Sequence, residues 1–388
     1  MSDPVTCPHC GASSLEVKAR GGPGKLPLLA SDTQIIGNAC ARRTLCRQCA
    51  CLGVTFDPPD TLERFYARDY DIGPEIQNHP IVIQGKVMPK HDHVTRSLFS
   101  SLEGLPPKGR FLEIACGRGD LSRAFQAMHP DCECLAVDPS DEARAAFESS
   151  PSDVTFVHGF FTPETLGGQV FDLVVAHGLL NRVAPLRTLL DIRAISRPGT
   201  LLSLDLMLLE QSECAPFIWD HTFMYGLDAL TAYLAHAGFE IDKVVDSASC
   251  THIMCRCTGS ALGEPDDISL PNGLFKRTED LLEAHHGFWR AAAAAARKRL
   301  TAGGPYAIFG AGMYSAVLLT ITDTHGIGHV IDETKAGSEF FGLPVVPLEE
   351  AGLPVLLCAR PAYMNAIEAT LRGRGVPCHH LIPAVADP

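Results

Sequence analysis

Two cysteine pairs stand near the start of the chain, Cys7 and Cys10 in "CPHC" and Cys46 and Cys49 in "CRQC", each with C-x2-C spacing. Four thiolates presented by two tight turns are the donor set that tetrahedral zinc takes, and a full set of four leaves no open position, so a structural role is expected. Cys40 and Cys51 are further sulfur donors that build no additional knuckle. A second constellation lies in "FLEIACGRGDLSRAF", where an apolar strand ends at Glu113, a turn carries Ala115, Gly117 and Gly119, and a helix begins. Glycines in such a turn let the backbone approach a ligand that any side chain would push away. Asp138 ends the next strand in "CLAVDPS", where a carboxylate can accept both hydroxyls of a ribose. "HGFF" then sets Phe160 at a third strand end, a place suited to flank adenine, and "FDLVVAHG" brings His177 to the end of a fourth. A third constellation is the adjacent pair Asp220–His221 in "PFIWDHTFMYG". An imidazole flanked by a carboxylate is a fitting general base, although a plain surface pair reads the same way.

These residues need elements to hold them. The 388-residue chain is too long for one ordinary domain, and 46% apolar content allows sizeable cores. "GRFLEIAC", "CECLAVDP", "FDLVVAHG" and "GTLLSLDLM" read as buried parallel strands, with helices over "RGDLSRAFQAMH" and "APLRTLLDIRAIS" between them. "HDHVTRSLFSSLEGL" reads as a helix ahead of the block, and "TGSALGEPDDISLPNG" as a linker behind it. A long helix over "TEDLLEAHHGFWRAAAAAARKRLTAG" leads into a second, smaller α/β block. The expected division is a zinc module over 1–60, an α/β domain over 61–258, and a C-terminal Rossmann-like domain with its leading helix over 275–388. The net charge of −13 argues against a nucleic-acid partner. No apolar run approaches a membrane span, and "MSDPVTCPHC" lacks the features of a signal peptide, so a cytoplasmic protein is expected. With fifteen cysteines on those terms, Cys116, Cys132 and Cys134 read as buried small hydrophobes rather than disulfide partners. The histidine pairs His91/His93, His285/His286 and His379/His380 read as solvated or loop residues without a metal.

The stretch "LEIACGRGDLS" resembles motif I of the class I S-adenosylmethionine (SAM) methyltransferases in an E-x-A-x-G-x-G form, with Asp138 and "FDLVV" following in the order that motif set requires. Glu113, Ala115, Gly117, Gly119, Asp138 and Phe160 are the cofactor-side residues this implies. NAD fits the turn less well, because the third glycine of G-x-G-x-x-G would fall on Ser122. The order of cysteine module, methyltransferase core and C-terminal α/β domain resembles the nucleotide-deoxysugar C-methyltransferases of antibiotic biosynthesis over nearly the whole chain. That resemblance implies His221, assisted by Asp220 and with His177 nearby, as the base that removes a proton from carbon beside a keto group. Three acceptor-side positions depart from the family pattern: Ile218 stands at the usual Tyr, Arg182 at the usual His of "NN-x-x-x-H", and the stretch after Tyr70 lacks the usual serines. His177 and Arg182 could then orient an anionic acceptor. A small-molecule acceptor, with a nucleotide or phosphate as its candidate handle, is the expected partner. Oxygen or nitrogen methylation of another small natural-product intermediate, and a non-catalytic assembly role, are the competing readings.

"YAIFGAGMYSAVLL" opens the second α/β block with G-x-G-x-x-S, and Asp332 ends a second strand about twenty residues on, within "HVIDE". Taken alone this is the better dinucleotide fingerprint of the two, but Ser315 replaces the third glycine. The family resemblance implies a module that binds no cofactor and helps close over the nucleotide part of the acceptor; phosphate docking at the helix start and a structural role are both open.

Overall fold

The computed structural model describes residues 6–13, 15–22, 25–70, 80–83, 86–89, 95, 98, 102, 105–106, 108–246, 250–259, 263, 268 and 270–382. Most of the helix expected over 91–105 and half of the linker over 258–273 fall outside these residues, as do His91, His93 and the stretch that follows Tyr70. Two compact units emerge: Met1–Arg20, Ala39–Ser212 and Asp220–Glu279 form the first, and Gly21–Asn38, Glu213–Trp219 and Asp280–Pro388 the second.

In the first unit the cysteine segment supplies β1 (Leu15–Gly21), β2 (Cys40–Cys46) and β3 (Leu52–Asp57), followed by helix α1 (Thr61–Arg68) and a hairpin of β4 (Pro80–Ile83) and β5 (Lys86–Pro89). The α/β block then alternates β6 (Arg110–Ile114), α2 (Asp120–Met128), β7 (Glu133–Asp138), α3 (Asp141–Ser149), β8 (Thr155–His158), β9 (Phe171–His177), α4 (Pro185–Ala194) and β10 (Ser196–Leu206). It ends with β11 (Phe223–Met224), α5 (Leu227–His236), β12 (Phe239–Asp246) and β13 (Thr251–Cys257). Seven of these strands form one sheet in the order β12-β13-β10-β9-β6-β7-β8. From β10 to β8 the pairs are parallel, and β13 is antiparallel to both of its neighbours. This is a Rossmann-like α/β sheet with one antiparallel strand next to its edge.

The strands are apolar because both faces of the sheet are covered, and β6 and β9 show burial on nearly every residue. Phe111 of β6 stacks on Phe125 of α2 with centroids 4.3 Å apart, which fixes the helix that follows the first turn. α4 starts with Pro at N1 and buries Leu186, Leu189 and Ile192 at helical spacing. Parallel order leaves the carboxyl ends of β6, β7, β8, β9 and β10 on one edge, where such folds bind ligands. β11 is the outermost strand of a different sheet, β1-β2-β3-β11, in which Phe223 pairs with Gly53 and Met224 with Leu52.

Helix α6 (Leu274–Thr301) starts four residues ahead of the expected span and ends two short of it. The second unit carries β14 (Tyr306–Phe309), α7 (Met313–Ile321), β15 (Ile327–Ile331), β16 (Glu339–Phe340), β17 (Leu343–Val346), β18 (Val355–Leu357), α8 (Pro361–Gly373) and β19 (Cys378–His380). Its sheet runs β16-β17-β15-β14-β18-β19 and is parallel except at the β16–β17 hairpin. Two histidine pairs depart from the solvated or loop placement read from the sequence. His285 is buried within α6, and His379 and His380 are half-buried in β19, because helix and strand registers turn them toward packed neighbours. No described helix is long and apolar enough to cross a membrane.

Candidate active site

The turn between β6 and α2 is built from left-handed backbone. Ala115, Gly117 and Gly119 have φ of 57°, 53° and 74°. Gly119 occupies the N-cap of α2 and has no side chain with which to cap it. Glu113 supplies the missing acceptor from the preceding strand, taking the backbone N–H of Ser122 at 3.0 Å and also the Ser122 hydroxyl. Burial pushes the Glu113 carboxyl up to about 7; the two bonds from Ser122 oppose that shift, while Asp138 and Asp120 add to it. The residue therefore braces the turn. Asp138 holds the other side, its Oδ2 accepting from Gly117 N–H and its Oδ1 from Ser140 N–H, each at 2.9 Å. An ionised carboxylate has about four acceptor sites, so hydroxyl recognition by the same group is compatible with these two bonds. Phe160 lies just past β8 and is 55% exposed, an open aromatic surface at the same strand-end edge. Open glycine backbone, a ribose-competent acid and an exposed ring fit an adenosyl cofactor.

The ends of β9 and β10 are tied together by Asn181, which is 1% exposed. Its Nδ2 donates to the carbonyls of Met207 and Phe223 at 3.0 and 3.1 Å, and its Oδ1 accepts from Met207 N–H at 2.9 Å. One amide thereby joins the loops after both strands to the segment that follows His221. Asp220 and His221 are both buried, and the backbone just beyond them is fixed by Val54 N–H donating to Thr222 O at 2.8 Å.

Arg182 is the hub of a polar cluster past the end of β9. Its Nε donates to Tyr66 Oη at 3.1 Å, its Nη2 to Tyr70 Oη at 2.8 Å, and its Nη1 to the Gly178 carbonyl. Its guanidinium lies 5.7 and 5.3 Å from the ring centroids of Tyr66 and Tyr70. Nη2 stands 3.8 Å from Asp220 Oδ2, and Tyr66 Oη donates to the same carboxylate at 3.2 Å and to the Asp220 carbonyl at 3.0 Å. Burial opposes the Arg182 charge, yet Tyr70, Tyr66 and Asp220 outweigh it and hold the guanidinium above its usual range. Burial raises the Tyr66 phenol, helped by Asp220 and opposed by Arg182. Arg43, on β2, is lowered to about 9 by burial while the charge of Asp220 resists.

His177 joins a different hydrogen-bonded series. Its Nε2 is 2.9 Å from Ser203 Oγ, which is 2.8 Å from Nε2 of His252, so three neighbouring strands contribute one residue each. A hydroxyl can donate to one imidazole while accepting from the other, so the series fixes the relation between the two tautomers.

The four cysteines meet as their spacing predicts. Cys7, Cys10, Cys46 and Cys49 are all buried, and their sulfurs lie within 4.8 Å of one another. Cys7–Cys49 and Cys10–Cys46 are each 3.7 Å apart. A tetrahedron of thiolates about 2.3 Å from zinc has edges of about 3.8 Å, so the sulfurs already stand at the spacing the ion would impose. Cys40 is exposed, and Cys51, though buried, is not in this group.

In the second unit the turn repeats the first. Asp332 Oδ2 accepts from Ala311 N–H at 2.9 Å, and its Oδ1 accepts from Thr334 and Lys335. Burial pushes Asp332 up, but these bonds prevail and hold it below the usual carboxylate range.

Residues 91–244 match the family model of a methyltransferase domain. This stretch of the chain therefore resembles a methyltransferase domain. No curated protein matches the sequence. Among solved structures, LaPhzM matches at 16% identity and TM-score 0.35, over 42% of this chain and 54% of that one. The chain thus spans about half the length of that relative. A SAM-dependent methyltransferase from Mesorhizobium loti matches at 16% identity and TM-score 0.35, over 42% and 96% of the two chains. An O-methyltransferase family protein from Burkholderia thailandensis matches at 14% identity and TM-score 0.37, over 45% and 57%.

Several links within the candidate site escape sequence reasoning. Tyr66 reaches Asp220 across 154 positions, and Arg182 reaches Tyr66 across 116, so no local pattern could connect them. Ser203 and His252 sit on β10 and β13 with nothing in their neighbourhood to mark them. The strand-end position of His177 is the one signal that could have led to its partners.

Proposed function

We propose that this methyltransferase adds carbon to carbon, at a position beside the keto group of a small molecule, with a nucleotide-linked sugar as the acceptor class. The observation that carries this reading is Arg182, held charged between Tyr66 and Tyr70 and against Asp220, in direct sequence with the buried His221. A carbon acid needs a base at the C–H and positive charge where the carbonyl oxygen becomes negative. In this reading His221 takes the proton, and the C–H electron pair moves into the new carbon–carbon double bond as the carbonyl oxygen gains charge. Arg182 balances that charge. The enolate carbon would then bond to the methyl group as the methyl–sulfur bond breaks and its electron pair leaves on the sulfur of S-adenosylhomocysteine; the carbonyl would re-form, and the proton on His221 would pass to solvent. SAM, when bound, supplies the electrophilic methyl; Gly117, Gly119 and Asp138 hold the adenosyl part, and Phe160 covers the base. The four cysteines hold a structural zinc in this scheme, supported by their sulfur spacing and donor type.

The test is isotope exchange without SAM. A panel of keto-sugar nucleotides is incubated with the enzyme in heavy water, and deuterium at the carbon next to the carbonyl is read by mass spectrometry. Exchange that disappears in His221→Ala supports the scheme. Methyl transfer to an oxygen or nitrogen, with no carbon exchange, would falsify it.

A further inference from the structure

Away from the methyltransferase core, α8 and the edge strand β19 bring together a carboxylate, a thiol and an imidazole. Cys378 and His380 are two apart on a strand and so share a face, while His379 points the other way, toward the ring of Tyr306 at 6.0 Å. Parallel pairing with β18 fixes this register, with Cys378 opposite Val355 and His380 opposite Leu357. Glu368 comes from α8, and its Oε2 lies 3.1 Å from His380 Nε2. Its other oxygen faces Arg372 one turn along the helix at 2.5 Å, which leaves Oε2 directed to His380. The three ligating atoms all lie within 4.8 Å of one another, and all three residues are half-buried.

We propose that Glu368, Cys378 and His380 form a second metal site, for zinc or a similar borderline divalent cation. Nitrogen and oxygen ligands about 2.0 Å from a tetrahedral ion stand about 3.3 Å apart, close to the separation of Glu368 and His380. The mixed sulfur, nitrogen and oxygen set selects a borderline ion over magnesium or calcium, which take oxygen alone. Both elements are held by their own backbone bonding, so binding requires only side-chain adjustment. Three protein ligands on a half-buried edge leave the fourth position to solvent, unlike the closed four-cysteine site. Binding would tie α8 to the last strand of the sheet.

Cobalt uptake by the full-length protein tests this. One equivalent of zinc is supplied first, enough for the four-cysteine site alone, and Co2+ is then titrated while the thiolate-to-cobalt charge-transfer band is followed. Wild type is expected to take up one more equivalent than Cys378→Ser, and His380→Ala to bind that equivalent at least tenfold more weakly. Circular dichroism confirms folding of each variant, and Glu368→Gln serves if either fails. Equal uptake by wild type and Cys378→Ser overturns the site, because the cobalt would then reside among the other cysteines. No uptake by wild type overturns it as well.

Discussion

Gly119→Ala is the sharpest perturbation of the cofactor turn. A Cβ at this position would lie 2.2 Å from Cζ of Phe147, well inside contact distance. Phe147 has little freedom to withdraw, because it stacks on Phe156 with centroids 4.4 Å apart and carries the Arg123 guanidinium 4.5 Å above its ring. The backbone adds its own penalty, since φ is 74° and an L-side chain there costs about 1–2 kcal/mol. Overpacking costs about 1–3 kcal/mol, and the stiffer unfolded chain returns about 0.4–1. The expected loss is thus about 1–4.6 kcal/mol, which is about 5- to 2,000-fold in a local opening constant. Because the chain has two compact units, hydrogen exchange read by mass spectrometry is the suitable assay. Peptides over α2 and β6–β8 should lose protection by that factor while peptides of the second unit keep theirs, and calorimetry should show weakened SAM binding. Ala115→Gly is the control: relief of its φ of 57° roughly offsets the added chain entropy, so protection should hold. If Gly119→Ala retains wild-type protection, or if the two variants lose it equally, the steric account of the turn fails.

Arg182→Met takes a cation from beside buried Asp220 and removes the hub that joins Tyr66 and Tyr70, so the first unit should lose about 3 kcal/mol while SAM affinity by calorimetry stays unchanged. Cys46→Ser should abolish tight zinc uptake in native mass spectrometry; wild type should fall in thermal midpoint when chelated, and the variant should not respond further. Glu113 makes stability depend on pH. Its folded pKa, about 7, exceeds the ordinary 4.5, so the native state binds more protons between those values, and stability falls as pH rises through that window by roughly 3 kcal/mol. Denaturation of wild type and Glu113→Gln at pH 4.5 and 7.5 checks this, and a slope that persists in the variant assigns the effect elsewhere.

The parts legible in sequence are those whose partners are near in the chain. "CPHC", "CRQC" and the E-x-A-x-G-x-G turn announce themselves because a knuckle or a strand–turn–helix is complete within a few residues. Asp138 was readable because strand and helix lengths set its distance from Gly117. Glu113 was found for its position, but its task of capping α2 in place of a side chain at Gly119 required the packed geometry. The acceptor side was read as three departures from a pattern, and those departures do not reveal that Arg182 rests between Tyr66 and Tyr70. Residues 21–38, which lie between the cysteine pairs, belong to the second unit, and no composition signal separates them. His285 illustrates the reverse error: two adjacent histidines read as polar surface, whereas helix periodicity turns one of them inward.

The pairing of β11 with β3 bears on how such an enzyme can be cut and recombined. A fragment limited to residues 91–244, the stretch that resembles a methyltransferase domain, would keep the whole Gly117–Asp138 turn. It would lose Tyr66, Tyr70, Arg43 and the strand against which the segment after His221 is laid. On the proposed function, such a fragment would retain the donor half of the reaction and discard the framework of the receiving half. In the reading proposed above, acceptor choice would rest largely on the N-terminal seventy residues. Exchanging that segment between related chains offers a route to new acceptors that leaves the cofactor motif untouched.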